Sequence, residues 1–380
     1  MSVVHSLSGK TVISGIGATA FGALPGRSTL SMNVEALRNA LADAGVDKDA
    51  VDALWVKYPT SKFEPLYGQK LAEAAGLQPR IGGVWDQGGA ANIMMISYAV
   101  MAIEAGQCEV AAICFADNPK SGSAAGYSRP RGDDAIYGWF GTLSGYAMIA
   151  RRHMGELGTR REDLGAVAIA ARRHGAANER AQLRKPLTLE EYVALPPLVA
   201  PFCRDDCALV SDGGAAVIVM SADRAMKSGV TRAVPILGFG HGQTSWEVAQ
   251  RPDLTSTCAK IAGETAFKMA GIKPKDVSVA QIYDCFTITA LMTLEDYGFA
   301  KKGQVGDFVR GGNIEIGGEL PINTSGGLLS ETGMPGMQLI HEGVRQMRGE
   351  ATLQVRSARH CIVSNQGGIM HTHAALILGQ

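Results

Sequence analysis

The feature that most constrains this chain is an internal repeat. Val34 to Asp43 has helical spacing and runs into Ala44-Gly45, the charged turn Val46 to Asp49 and a short apolar run, Val51 to Val56. The same order returns 226 residues further on: Gly263 to Met269, Ala270-Gly271, the turn Ile272 to Asp276 and the run Val277 to Ile282. Each unit reads as helix, glycine C-cap, turn and strand. Two such units need a common way of burying one helix face and one strand face each, which points to two similar α/β halves rather than unrelated domains.

The match extends along both halves. Gly83 to Gly89 precedes the apolar helix pattern Ala90 to Ala105, which stops at Gly106 before the strand pattern Glu109 to Phe115. In the second half Pro321 to Gly327 precedes Met337 to Met347, Gly349 stops that helix, and Ala358 to Val363 reads as a strand. Each half closes on an apolar strand, Ala215 to Met220 and Ala374 to Leu378. The boundaries drawn this way are 1–117 with 205–228 for the first half, 118–204 for an inserted helical loop region and 229–380 for the second half. The insertion carries Arg151-Arg152, Arg160-Arg161 and Arg172-Arg173, which read either as a solvated face or as a cap turned toward a phosphorylated ligand.

Thirty-six basic and thirty-six acidic side chains cancel, and this balance excludes nucleic-acid binding driven by bulk positive charge. The seven cysteines lack metal-ligand spacing, so no metal site is expected, and with no basic, apolar leader at Met1 they suit a reducing, cytoplasmic setting. The apolar stretch around Ile93 to Ile103 is too short to span a bilayer.

In this order, Gly15 to Gly22, Asp206-Cys207, Ser211 to Ala216, Tyr283-Asp284-Cys285-Phe286 and Asn323 to Gly327 resemble the thiolase superfamily, in its sterol carrier protein-x and lipid-transfer-protein branch. The resemblance covers essentially the whole chain. It implies a thiolase fold, with two similar halves in a five-layer αβαβα arrangement, a homodimer and acyl-CoA substrates. It also implies Claisen chemistry at a cysteine that opens a helix. Counting back from Gly106 as that family does reaches Gly89, and the neighbouring text, Gln87 to Asn92, holds no cysteine. The family's histidine loop falls on Thr332-Gly333-Met334 and has lost its imidazole.

A pocket of this kind without its nucleophile still suits an enolate, and a retro-aldol cleavage of a β-hydroxyacyl-CoA needs no covalent step. Cysteine-less relatives that act as steroid side-chain aldolases resemble this chain in their Tyr-Asp-x-Phe motif, but use a second tyrosine where this chain has Gly333. Tyr283 is read as general base or as donor to the β-oxygen, against the plainer alternative of an end-of-strand tyrosine. Cys285 is read as the acid that protonates the enolate, or else as a core thiol. Cys361 and His373 are further candidates, each with a buried structural role as its alternative. Ser325-Gly326-Gly327 permits close approach of a pantetheine arm. Coenzyme A enters as part of the substrate, and no bound cofactor is expected. The resemblance also implies a small partner subunit with an oligonucleotide-binding-type fold and a zinc ribbon. The rival readings are an acyltransferase with a non-standard nucleophile and a non-catalytic acyl-CoA- or lipid-binding subunit.

Overall fold

The structure is a computed structural model that describes residues 6–124, 136–139, 141–245 and 247–380. The start of the chain (1–5) and part of the expected insertion (125–135) lie outside the described residues. In the first half β1 (Thr11–Ala18), α1 (Thr29–Ala44), β2 (Ala53–Lys57), α2 (Tyr67–Ala75), β3 (Ile81–Trp85), α3 (Ala91–Glu104) and β4 (Val110–Asp117) follow in order. An excursion then carries α4 (Gly141–Leu157), α5 (Arg161–Ala177), α6 (Leu189–Ala194) and the hairpin β5 (Pro197–Val199) and β6 (Phe202–Cys203). The chain returns through β7 (Gly213–Ser221) and α7 (Ala222–Lys227). The second half comprises β8 (Val234–Gln243), α8 (Ala259–Ala270), β9 (Val279–Gln281), α9 (Thr287–Asp296), α10 (Val305–Arg310), α11 (Gly327–Ser330), α12 (Met337–Arg348), β10 (His360–Gly367) and β11 (Thr372–Gly379).

The repeat is visible in the sheets. The first half pairs as β3-β2-β4-β7-β1 and the second as β9-β10-β11-β8. A parallel bridge from Ala280 to Ile322 stands where the second half would place its outermost strand. In both halves the pairs at the outer edge are parallel (β2 with β3 and β4, β9 with β10), and those nearer the join are antiparallel. The two sheets join edge to edge only where β1 meets β8, at Val12–Pro235 and Ile13–Val234. The repeated glycines close their helices as the pattern requires, Gly45 at φ 65° and Gly271 at φ 71°, a left-handed conformation that glycine adopts without strain.

Strand alternation sorts side chains into layers. On β7, Ala215, Val217 and Val219 face a core shared with α3 and α12, whereas Ala216, Ile218 and Met220 face α1 and α2. On β11, Ala374, Leu376 and Leu378 face the shared core, and Ala375 and Ile377 face α8 and α9. The order across the molecule is therefore helices, first sheet, α3 with α12, second sheet, helices. Because α3 lies between two sheets, it is apolar nearly all round. The α4–α6 excursion is not a solvated arm: Tyr146, Ile149, Leu164, Val167 and Phe202 pack into the outer core of the second half. Two of its arginines are used internally, Arg172 on the Asp205 carboxylate at 3.2 Å and Arg161 on the Leu195 carbonyl at 2.6 Å.

α12 is tied to the first sheet by His341, whose Nε2–H donates to the Ala216 carbonyl at 2.9 Å. Burial pushes this imidazole down to about 3, so it stays neutral in the folded protein while the unfolded chain takes up a proton below about pH 6.5. Its contribution is therefore whole above pH 6.5 and shrinks as pH falls toward 3. We expect the stability advantage of the wild type over His341→Gln, measured by urea denaturation, to be largest at pH 7–8 and to narrow on acidification.

Candidate active site

The start of α3 carries no side chain at the decisive position, and the tip of β9 fills the gap. A methyl group on Gly89 would lie 2.4 Å from the Tyr283 hydroxyl oxygen, 2.5 Å from its ring and 2.6 Å from the Gln366 carbonyl. The glycine is thus what admits Tyr283 to the N-terminal end of α3. Gly88, at φ 56°, similarly lets its loop pass Gly367, where a methyl group would come within 2.6 Å of the Gly367 Cα. Thr372 Oγ1 donates to the Gln87 carbonyl at 3.2 Å and ties the same loop to β11.

The turn that presents Tyr283 is held at almost every residue. The Ile282 amide donates to Asn323 Oδ1 at 2.7 Å, and Asn323 Nδ2 returns a bond to the Ile282 carbonyl at 2.9 Å. Thr289 Oγ1 donates to the Tyr283 carbonyl at 2.7 Å, and the Ala208 amide donates to the Cys285 carbonyl at 2.9 Å. Asp284 points away from Tyr283 and accepts from the Leu328 amide at 2.8 Å; burial pushes its carboxyl up to about 7.

Cys285 sits beside this turn and accepts from Gln366 Nε2 at 3.0 Å. Burial pushes its thiol up to about 12, which leaves it protonated at neutral pH. Gln366 is itself oriented by Tyr146, whose hydroxyl lies 3.0 Å from Gln366 Oε1 and 2.9 Å from the Gly368 carbonyl. Burial holds the Tyr146 phenol well above the ordinary range, so it remains a proton-bearing donor. Tyr146 comes from the excursion and lies 137 residues from Tyr283 in sequence, and Gln366 sits in a stretch with no motif of its own. Neither leaves a sequence signal as a site residue. A cavity of about 460 Å³ opens along α4, lined by Trp139, Ser144, Met148, Val248 and Leu254 among others.

Three expectations need correction. His373 is fully buried, with Nε2 between the Tyr297 hydroxyl and Ser364 Oγ, each at 2.9 Å, and burial pushes its imidazole down to about 3. It is a core histidine that cannot accept a proton near neutral pH. Cys361 is also fully buried, its sulfur 3.7 Å from the Ile362 carbonyl; burial raises its thiol, and it packs in the shared core level with Val279, four residues before Tyr283. Ser325-Gly326-Gly327 turns inward: Ser325 Oγ donates to Glu331 at 2.6 Å, Gly326 (φ 106°) rests on Gly175, and Gly327 (φ 60°) rests on Asp284. Their close approach serves the protein's own groups, the Gly175 backbone and the Asp284 carboxyl. The loop at Gly333 is closed to side chains altogether, since a methyl group there would lie 1.6 Å from the Leu209 carbonyl oxygen.

Residues 240–380 match the family described as "Thiolase C-terminal domain-like". The chain is 35% identical to a "Steroid side-chain-cleaving aldolase" of Thermomonospora curvata, covering 98% of each protein. It is also 35% identical to a "17-hydroxy-3-oxo-4-pregnene-20-carboxyl-CoA lyase" of Mycobacterium tuberculosis, covering 98% of this chain and all of the relative. A solved structure titled "Ltp2-ChsH2(DUF35) aldolase" superposes with a TM-score of 0.89 at 34% identity, over 98% of both chains. With the doubled α/β halves, the paired inter-sheet helices and the tyrosine at the start of α3, these matches place the chain in the thiolase superfamily, in its sterol carrier protein-like branch.

Proposed function

We propose that the protein cleaves a β-hydroxyacyl-CoA by a retro-aldol reaction, without a covalent enzyme intermediate. The observation that carries this reading is Tyr283 in the space left by Gly89: the helix start that would hold a nucleophile holds a hydroxyl instead. Tyr283, acting as the phenolate, takes the proton of the substrate's β-hydroxyl and becomes the phenol. The O–H pair becomes the carbonyl of the leaving ketone or aldehyde, the α–β carbon–carbon bond breaks, and its electron pair forms the enolate of the thioester. Cys285, protonated at neutral pH, is placed to return a proton to the α-carbon, with Gln366 fixing its sulfur. The products are a carbonyl compound and a shortened acyl-CoA, so no free coenzyme A is consumed. Positive partial charge at the α3 N-terminus favours the negative charge that develops beside it.

The cavity along α4 suits the part of the substrate that leaves, since about 460 Å³ lies within the range of small-molecule sites. A steroid side-chain substrate is the reading that both similar enzymes favour by name. We extend the proposal to assembly, as a homodimer across the edge strand β3, where Val84 is exposed, and with a small zinc-ribbon partner subunit. Affinity purification from the native host followed by light scattering should give two copies of this chain with a stoichiometric small subunit. A clean monomer would remove both contacts.

Three outcomes follow for the purified complex. Cleavage of 17-hydroxy-3-oxo-4-pregnene-20-carboxyl-CoA, followed by liquid chromatography, proceeds without added coenzyme A; dependence on free coenzyme A would indicate acyl transfer instead. Tyr283→Phe lowers kcat about 10²–10³-fold with little change in KM, the scale expected for a lost acid–base group. Gly89→Ala drives its methyl into the Tyr283 hydroxyl and lowers turnover comparably, with a stability loss of about 1–3 kcal/mol from overpacking in denaturant titration.

A further inference from the structure

One polar side chain facing the same core as Tyr283 has no use inside the protein. Asn365, on β10, is fully buried, and neither its Oδ1 nor its Nδ2 has a hydrogen-bond partner. Its placement follows from the strand register. β9 and β10 run parallel with Val279 level with Cys361 and Gln281 level with Val363. Tyr283 lies two residues beyond the end of β9; carried that far, the register sets it level with Asn365, and both turn to one face. That face is the one that Cys361, Val363 and Tyr283 turn toward α3 and α12. The carboxamide ends against the start of α12: a methyl group on Gly336 would lie 2.4 Å from its Nδ2 and 2.8 Å from its Oδ1. Gly336 is the N-cap of a 12-residue helix whose first amides have no acceptor within the helix. Asn92, the second residue of α3, donates from Nδ2 to the Pro335 carbonyl and joins the two helix starts.

The two helices of the central layer therefore begin on either side of a spot flanked by a phenol and an unpaired carboxamide. A buried amide group without a partner is destabilising, and few remain so in folded proteins. The Asn365 Nδ2–H group has no acceptor among the described residues and is free to donate to an oxygen that a ligand brings. We infer that Asn365 holds the thioester oxygen on which negative charge accumulates as the carbon–carbon bond breaks, aided by the positive end of α12. This rests on the retro-aldol reading above and assigns the group that receives the charge which Tyr283 sets moving. Asn365 forms no bond to carbon and moves no proton: its N–H donates to the carbonyl oxygen in the substrate and more strongly to the enolate.

The test uses the intact complex and two probes. With 17-hydroxy-3-oxo-4-pregnene-20-carboxyl-CoA, Asn365→Leu should lose about 10²–10³ in kcat, the scale of one lost oxyanion donor, with KM within about threefold. With propionyl-CoA in deuterium oxide, mass spectrometry should show the wild type exchanging the α-protons, which reports enolate formation without cleavage, and Asn365→Leu should exchange them at least tenfold more slowly. Because the apolar isostere removes an unpaired amide, its Tm should equal or exceed that of the wild type by about 2 °C. Should Asn365→Leu fold poorly, Asn365→Asp keeps the shape while opposing the enolate, and should show the same two losses. Wild-type cleavage with unchanged rates in both variants would overturn the role of Asn365 and leave the retro-aldol reading standing. Exchange without cleavage, lost in the variants, would overturn the retro-aldol reading and keep the oxygen site. A wild type that neither cleaves nor exchanges would overturn both.

Discussion

The site depends on one missing side chain. Any Cβ at position 89 would collide with the Tyr283 hydroxyl and ring and with the Gln366 carbonyl, so the glycine, the tyrosine and the β10 backbone form a single packing unit. The rest of the local structure follows from keeping that unit in place. Asn323 clamps the strand end with two hydrogen bonds, Thr289 holds the Tyr283 carbonyl from the first turn of α9, and Thr372 pins the loop before α3 to β11. These bonds come from elements on both sides of the second sheet, and each is made in the free protein. The hydroxyl is therefore positioned before substrate arrives, which is the condition for electrostatic and acid–base groups to contribute without reorganising.

The repeat made the architecture legible because its signals are local. A helix face, a glycine that must turn left-handed and an apolar strand all lie within about thirty residues, the length of one supersecondary unit. Gly45 and Gly271 take that conformation for the reason the pattern implies. The site was legible only in part. Tyr283 and Cys285 sit at a strand-to-helix turn and could be named from the motif. Tyr146 and Gln366, which complete their surroundings, meet across 220 residues, and no spacing rule connects them.

The misread residues share a physical cause: sequence shows what a side chain can do, not what already occupies its surroundings. His373 does lie on the last strand, but Tyr297 and Ser364 hold its ring and burial keeps it neutral. The glycines of Ser325-Gly326-Gly327 do permit a close approach, and helix α5 makes it at Gly175. Arg172 has the charge for a phosphate and gives it to Asp205. In each case the chemistry was available and a neighbour from a distant part of the chain had claimed it.

Burial decides the kind of catalysis this site can support. A thiol at about 12 is roughly one part in 10⁵ thiolate at pH 7, too little for attack on a thioester, yet the same burial keeps a proton on sulfur for delivery. The same low-dielectric surroundings that raise Cys285 strengthen hydrogen bonds to a developing enolate. A thiolase-type active site must lower the cost of a charged sulfur at the start of its helix. In the proposed reaction, a tyrosine in that place leaves the positive ends of the two central helices for charge on the substrate. Chemistry at the site would then move from bonding to sulfur to holding an oxyanion, with the same layered fold around it.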